Sequence, residues 1–294
     1  TMPAGDLSAV RIGATVRLTA TLRPPPEPIA PGSFDFARQA WFDRLGATGY
    51  ATSGAVPVGG PALPWDLALW AQIDGLRAAV NARAKAALPG ETGEIAAALI
   101  TGDRGGISKE VTEAMRDSGL AHILSISGLH MAIMAGTVFW LARALLALLP
   151  GLALRYPIKK WAAAIALCAA TFYLALSGAA VPTVRSWIMM SIVLVAVMLD
   201  RPALTMRNVA LAALVILVAS PESLFDPSFE MSFAAVIAVV ALYEWLSRRK
   251  PQGLRDVDPV FRALRKGGAL IGGAAATTLA AGTAGAPFAL YHFH

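Results

Sequence analysis

The sequence predicts a mainly α-helical polytopic membrane protein with a small β-rich domain at its N-terminal end. Three observations carry that prediction. Charged residues make up only 15% of the 294, against roughly 25% in soluble domains, and the mean hydropathy is +0.58. The charge is unevenly placed: residues 1–118 read as a water-soluble chain, whereas 119–294 are apolar runs broken by short polar loops. Several of those runs approach the ~20 residues needed to cross a bilayer. Near the start, apolar and polar side chains alternate with the period of a half-covered strand.

In that alternation Val10, Ile12, Ala14, Val16, Leu18, Ala20 and Leu22 face one way. Arg11, Arg17 and Arg23 share the other face with Gly13, Thr15, Thr19 and Thr21. This is a half-buried strand or a bent pair of strands, ended by Pro24-Pro25-Pro26 because proline cannot donate to a ladder. Phe34 to Leu45 reads as a short helix or structured turn, and Gly49 to Val56 as a second, weaker strand. From Asp66 to Leu88 the period becomes helical, with Leu69, Trp70, Ile73, Leu76, Val80 and Ala84 near one face. Trp at its start and basic residues near its end suit a helix lying in the membrane interface; they suit a helix packed on a soluble domain equally well. Pro89-Gly90 stops it. A helix over 92–101 leads into the polar turn Gly102-Asp103-Arg104-Gly105-Gly106, and Ser108 is placed to cap a helix from Lys109 to Asp117.

About six spans follow, near 120–149, 161–180, 184–199, 207–220, 229–246 and 267–290. The shorter ones read as tilted or re-entrant. Loops 150–160, 200–207 and 247–266 are basic, carrying Arg155, Lys159, Lys160, Arg201, Arg207 and a run from Arg248 to Lys266. They alternate with loops poor in Lys and Arg. The positive-inside rule puts the basic loops in the cytoplasm and the N-terminal domain outside. Arg104, Lys109 and Arg116 weigh mildly against that orientation. The net charge of +6 is read first as this orientation signal and second as a sign of nucleic-acid contact. The single cysteine, Cys168, lies in an apolar run and excludes disulfides and Cys-based metal sites. The chain opens on Thr1 and closes just after an apolar run, so both ends read as cut.

The most informative stretch runs Ser118-Gly119-Leu120-Ala121-His122-Ile123-Leu124-Ser125-Ile126-Ser127-Gly128-Leu129-His130. Polar side chains at membrane depth cost free energy unless they meet partners or water, so they mark a pathway or a tight helix contact. Gly and Ser also let helices approach closely. His122 and His130 are eight apart, about 80° around a straight helix, a poor spacing for a metal pair on one helix. A structural hydrogen bond is the first reading for each histidine, a polar pathway the second. In Val181-Pro182-Thr183-Val184-Arg185 the proline can break a helix, and Arg185 reads as snorkelling from a tight turn or as facing phosphate. Asp226 or Ser228 is placed to cap the span that follows, with Glu230 a first-turn acid. The sequence has no Walker loop, GxGxxG, HExxH, GxSxG or paired-carboxylate motif, so nothing points to an ATPase or a hydrolase.

These stretches resemble the competence domain of the ComEC family. The resemblance runs through Gly102-Asp103-Arg104 with Ser108, the string from Ser118 to His130, Pro182-Thr183-Val184-Arg185, and Asp226-Pro227-Ser228-Phe229-Glu230-Met231-Ser232-Phe233. Its motif residues are Gly102, Asp103, Gly119, Gly128, Pro182, Asp226 and Phe229. Glu230 departs from a glutamine expected in the family pattern. Upstream, Pro31-Gly32-Ser33-Phe34-Asp35 with Gly46 to Tyr50 looks like the family's OB-like domain. The implied organisation is a partial OB-like domain at 1–62, a helical connector at 63–118 and a competence domain at 119–294 that continues beyond the C-terminal end.

The resemblance implies a channel component in a bacterial inner membrane that passes single-stranded DNA into the cytoplasm. Other competence proteins, a cytoplasmic DNA translocase and a second copy of the chain would be its partners. Candidate path residues are His122, Ser125, Ser127, His130 and Arg185, with Arg11, Arg17 and Arg23 as DNA contacts in the OB-like domain. No metal, cofactor or catalytic residue is expected, because the metallo-β-lactamase-like nuclease domain of many members lies outside these residues. Two other classes compete: a small-solute transporter, favoured by an inverted repeat that the sequence does not show, and an intramembrane metalloenzyme in which His122 and His130 would share a metal with a third ligand.

Overall fold

The computed structural model describes residues 14–30, 35–60, 63–118, 120, 126–248 and 259–293. They form two compact units, Thr1–Ala87 and Leu88–His294.

In the first unit the alternating segment becomes two short strands, β1 (Val16–Arg17) and β2 (Ala20–Arg23). They pair antiparallel with β4 (Val56–Pro57) and β3 (Thr48–Ala51) respectively. The registers differ: Arg17 faces Val56, whereas Ala20 faces Ala51, so four residues of one strand oppose two of the other. Ser53 knits this bulge together. Its hydroxyl accepts from Thr19 N–H at 2.8 Å, while the Thr19 carbonyl accepts from Thr52 N–H at 2.8 Å. Gly49 sits opposite Leu22, where a Cβ would collide with the Thr21 carbonyl. Asp35 caps the short helix α1 (Phe36–Phe42) by accepting from Arg38 N–H at 2.9 Å.

The bent pair of strands is therefore present, but it is not half-buried: all of β2 is exposed, with Leu22 at 67%. Among the described residues two two-stranded ladders have no second sheet to cover them, which period alone cannot reveal. Helix α2 (Trp65–Ala87) buries Asn81 and leaves Trp65, Leu67, Leu69, Trp70 and Leu76 exposed.

The second unit begins with α3 (Glu91–Thr101) and α4 (Lys109–Asp117), the latter capped by Ser108, whose Oγ accepts from Val111 N–H at 3.3 Å. The membrane part follows as α5 (Gly128–Ala147), the short α6 (Pro150–Arg155), α7 (Ile158–Leu176), α8 (Val181–Met198), α9 (Met206–Ala219), a 3-10 turn (Pro221–Phe225), α10 (Pro227–Arg248) and α11 (Pro259–Phe293). Among the described residues α5, α7, α8 and α10 are long and apolar enough to cross a membrane. With 14 residues α9 rises only about 21 Å, short of a ~30 Å hydrocarbon core.

Two boundaries differ from expectation. The first membrane helix starts at Gly128, not near 120, because Ser127 adopts extended backbone and caps it. Pro182 does not break a helix; it stands in the first turn of α8, where its missing N–H would have had no partner.

Helices α5, α7 and α8 pack through small residues. Ala162, Ala163, Ala166 and Ala170 of α7 are fully buried, as are Met131 and Ala135 of α5. Ala170 meets Met131 and Ala135 beside Trp187 and Met190 of α8, while Ala163 and Ala166 meet Leu194. Since lipid tails are as apolar as leucine, helix association inside a bilayer relies on such close contact. The outer faces stay apolar, with Trp140, Leu141, Leu145 and Leu148 exposed. A second cluster joins α9 to α10 through Ala212, Ile216, Phe229 and Phe233, against Ile188, Met189 and Ile192 of α8. Helix α8 thus contributes to both clusters.

Helices α5, α8 and α10 begin at one end of the bundle, and α7 and α11 finish there. The opposite end gathers basic residues. Lys160, at the start of α7, bridges to Asp200, just past α8, at 2.5 Å. The hydrogen bond from Lys160, with the charges of Lys160 and Lys159, holds the Asp200 carboxyl below the usual carboxylate range. A depressed carboxyl pKa stabilises the fold at pH values above its unfolded pKa, and that contribution disappears as pH falls through the folded value. Asp200 has a positive φ of 57°, which asparagine also tolerates, so Asp200→Asn isolates the charge. The variant is expected to melt slightly below the parent in detergent at pH 7, with the gap closing as the pH falls below the ordinary carboxylate pKa and through the lower folded one. A gap that persists in acid would show that the charge is not responsible.

Candidate functional site

The polar end of the bundle is built from four chain reversals that lock together. Helix α3 stops at Gly102, whose left-handed backbone (φ 76°) returns its N–H to the Ala98 carbonyl. A Cβ on Gly102 would stand 2.9 Å from the Ser177 carbonyl oxygen and 3.3 Å from Ile126 Cδ1. The end of α3, the segment before α5 and the end of α7 therefore meet at a position only glycine fits. Asp103 turns the chain onward by accepting from Gly105 N–H at 3.1 Å. From α8, the fully buried Thr183 donates its hydroxyl to the Ile126 carbonyl at 3.4 Å. Gly128 faces Ser186, with 3.3 Å from its ideal Cβ to Ser186 Oγ.

At the start of α5, Ser127 N–H donates to His130 Nδ1 at 3.3 Å, and Ser127 Oγ lies 3.1 Å from the same nitrogen. An N–H can only donate, so Nδ1 is the acceptor and the ring proton of a neutral His130 sits on Nε2. His130 is half-buried.

Arg185 is the buried charge of the site. It neither snorkels nor faces solvent, being 6% exposed. Its Nη1 donates to Asp226 Oδ2 at 3.4 Å and its Nη2 donates to Ser228 Oγ. Asp226 Oδ1 simultaneously accepts from Ser228 N–H at 3.0 Å, capping α10. One carboxylate thus starts α10 and ties α8 to it. Phe229, next in line, turns inward and stacks on Phe233 with ring centroids 4.4 Å apart.

Of the residues singled out in the sequence, Gly102, Ser127, Gly128, His130, Pro182, Arg185, Asp226 and Phe229 come to this one end of the bundle. Gly119, His122, Ser125 and Arg11 lie outside the described residues. Arg17 and Arg23 are exposed and belong to the other unit. Sequence reasoning passed over Ser177, Ser186 and above all His292, whose Nε2 lies 2.7 Å from Glu230 Oε2. Glu230 is therefore more than a first-turn acid. Nothing local in the sequence links two residues 62 positions apart. Among the described residues no three His, Cys, Asp or Glu side chains gather as a metal site.

A family model described as Competence protein matches residues 99–294. Competence protein ComA of Neisseria gonorrhoeae is 36% identical over 159 residues, covering 52% of this chain and 22% of its own. ComE operon protein 3 of Bacillus subtilis is 25% identical over 290 residues, covering 98% of this chain and 33% of its own. An uncharacterised Escherichia coli protein, YcaI, is 29% identical over 163 residues, covering 55% of this chain and 21% of its own. The chain spans a third or less of the length of these curated relatives. No solved structure matches it.

The close approach at Gly102 gives a direct test of the packing. Gly102→Ala is expected to destabilise the detergent-solubilised protein by about 1–3 kcal/mol, the cost of a strained backbone position plus a steric clash. Thermal unfolding indistinguishable from the parent would mean that the three segments do not meet as described.

Proposed function

The chain belongs to the Competence protein family, and from that premise we propose that it forms the membrane part of a channel passing single-stranded DNA into the cytoplasm. The observation that carries this reading is the gathering of Ser127, His130, Thr183, Arg185, Asp226 and Ser228 at one end of an otherwise apolar bundle. Polar groups at membrane depth are costly and mark paths, and a phosphate backbone needs polar or cationic contacts along its route. The likeness to Competence protein ComA and to ComE operon protein 3 supports the same reading.

Orientation follows from charge. Arg155, Lys159, Lys160, Arg201 and Arg207 cluster at the opposite end, which the positive-inside rule assigns to the cytoplasm of a bacterial inner membrane. The polar end then faces outward, where the strand arrives. Residues 1–62 would receive it as an OB-like extracytoplasmic domain, using Arg11, Arg17 and Arg23, with 63–118 as connector and 119–294 as the channel domain. His130, through its Nε2–H, and Ser127 contact the strand directly, joined by His122 and Ser125 from the same string. Arg185, already engaged by Asp226 and Ser228, holds the entrance in shape. Other competence proteins, a cytoplasmic translocase and a second copy of the chain are the partners of this reading.

The test is uptake of labelled DNA into the cytoplasm of cells carrying the full-length gene, its deletion, or a His130→Ala version. Deletion is expected to abolish uptake. His130→Ala is expected to lower it about tenfold at an unchanged level of inserted protein, the effect of losing one charge-assisted contact. Undiminished uptake in the deletion strain would refute the channel reading.

A further inference from the structure

The Glu230–His292 bond is not needed to start α10, which Asp226 already caps. Glu230 lies four residues after Asp226 and two after Ser228, so on the helix it neighbours the Arg185–Asp226 pair. That neighbourhood holds one guanidinium and two carboxylates. Arg185 answers Asp226. The group that answers Glu230 is His292, in the last turn of α11, at 2.7 Å. Both side chains are half-buried, at 19% and 25% exposure for His292 and Glu230. The Tyr291 ring stands edge-on to the imidazole, with centroids 4.9 Å apart.

We infer that His292 is a positioning residue that holds the Glu230 carboxylate in the seam between α10 and α11 and so keeps it away from the anionic strand. This rests on the channel reading above. A carboxylate released at the polar end would oppose each passing phosphate, because like charges a few ångströms apart repel strongly where water is scarce. The pairing lets an acid sit beside a polyanion's route without acting as a barrier. Glutamine is nearly isosteric with glutamate and uncharged, so it separates the charge of residue 230 from its shape.

Uptake of labelled DNA is measured for the full-length protein carrying Glu230→Gln, His292→Ala, or both, alongside the parent and the gene deletion. His292→Ala is expected to reduce uptake about tenfold, the scale of one screened like-charge contact. Glu230→Gln alone should stay near the parent, and adding it to His292→Ala should restore most of the loss. A purely structural role would not be rescued by removing the charge. If His292→Ala fails to insert, His292→Gln, which keeps a donor, is read against its own double variant with Glu230→Gln. Equal impairment of the single and double variants, or no impairment in either single variant at 292, overturns the inference.

If the deletion itself leaves uptake intact, the channel reading falls separately. The pairing is then read from purified full-length protein in nanodiscs, binding a labelled single-stranded oligonucleotide or its uncharged peptide-backbone analogue. Weaker binding of the phosphodiester alone by His292→Ala supports the inference. Equal loss for both probes, or none, refutes it.

Discussion

Arg185 carries a permanent charge into a nearly sealed position, and much of the polar end is arranged around that fact. A buried guanidinium is tolerated only when an opposite charge and further hydrogen bonds surround it. It also stands in the first turns of α8, at the helix end whose dipole disfavours a cation. Asp226 resolves both difficulties. Placed just ahead of α10, it offers one oxygen to Arg185 and the other to the Ser228 N–H. The start of α10 and its ion pair with α8 therefore share a single carboxylate. Phe229 and Phe233 are carried into the apolar cluster from that fixed start.

The rest of the bundle obeys the constraint of an apolar solvent. With no water to drive helices together, α5, α7 and α8 rely on closeness, and the buried alanines of α7 supply it. Polar side chains within the helices mostly bond locally. Thr171 and Ser186 return their hydroxyls to carbonyls one turn back, and Thr171 also receives the Trp187 indole N–H at 3.0 Å. Arg143 lies over the Trp140 ring, 5.6 Å from its centroid. The membrane part is thus apolar along its length, hydrogen-bonded across segments at one end and basic at the other.

That separation ties fold to function. The described parts of four stretches that resemble a known family in sequence are brought side by side by alternating helix directions, although the outermost are separated by more than a hundred residues. Their shared location gives a common physical role to glycines, serines, a histidine and an arginine that look unrelated along the chain. The glycines allow backbones to touch, Thr183 binds the Ile126 carbonyl across segments, and Arg185 with Asp226 joins α8 to α10.

The sequence by itself determined the class of solvent, some of the helix caps and which stretches stood out. Low charge and long apolar runs required a bilayer, Ser108 and Asp226 announced helix starts, and Gly102, Ser127, His130 and Arg185 stood out as polar residues beside apolar runs. These are local properties, decided by a residue and its near neighbours. Partnership was not local. Arg185 with Asp226, His292 with Glu230 and Gly102 against Ser177 join positions 41, 62 and 75 apart. The start of α5 at Gly128 and the exposure of β2 likewise depended on what surrounds each segment. Only the packing of helices could choose these, because a side chain's nearest charge in space is set by helix direction and register, which no short stretch of sequence contains.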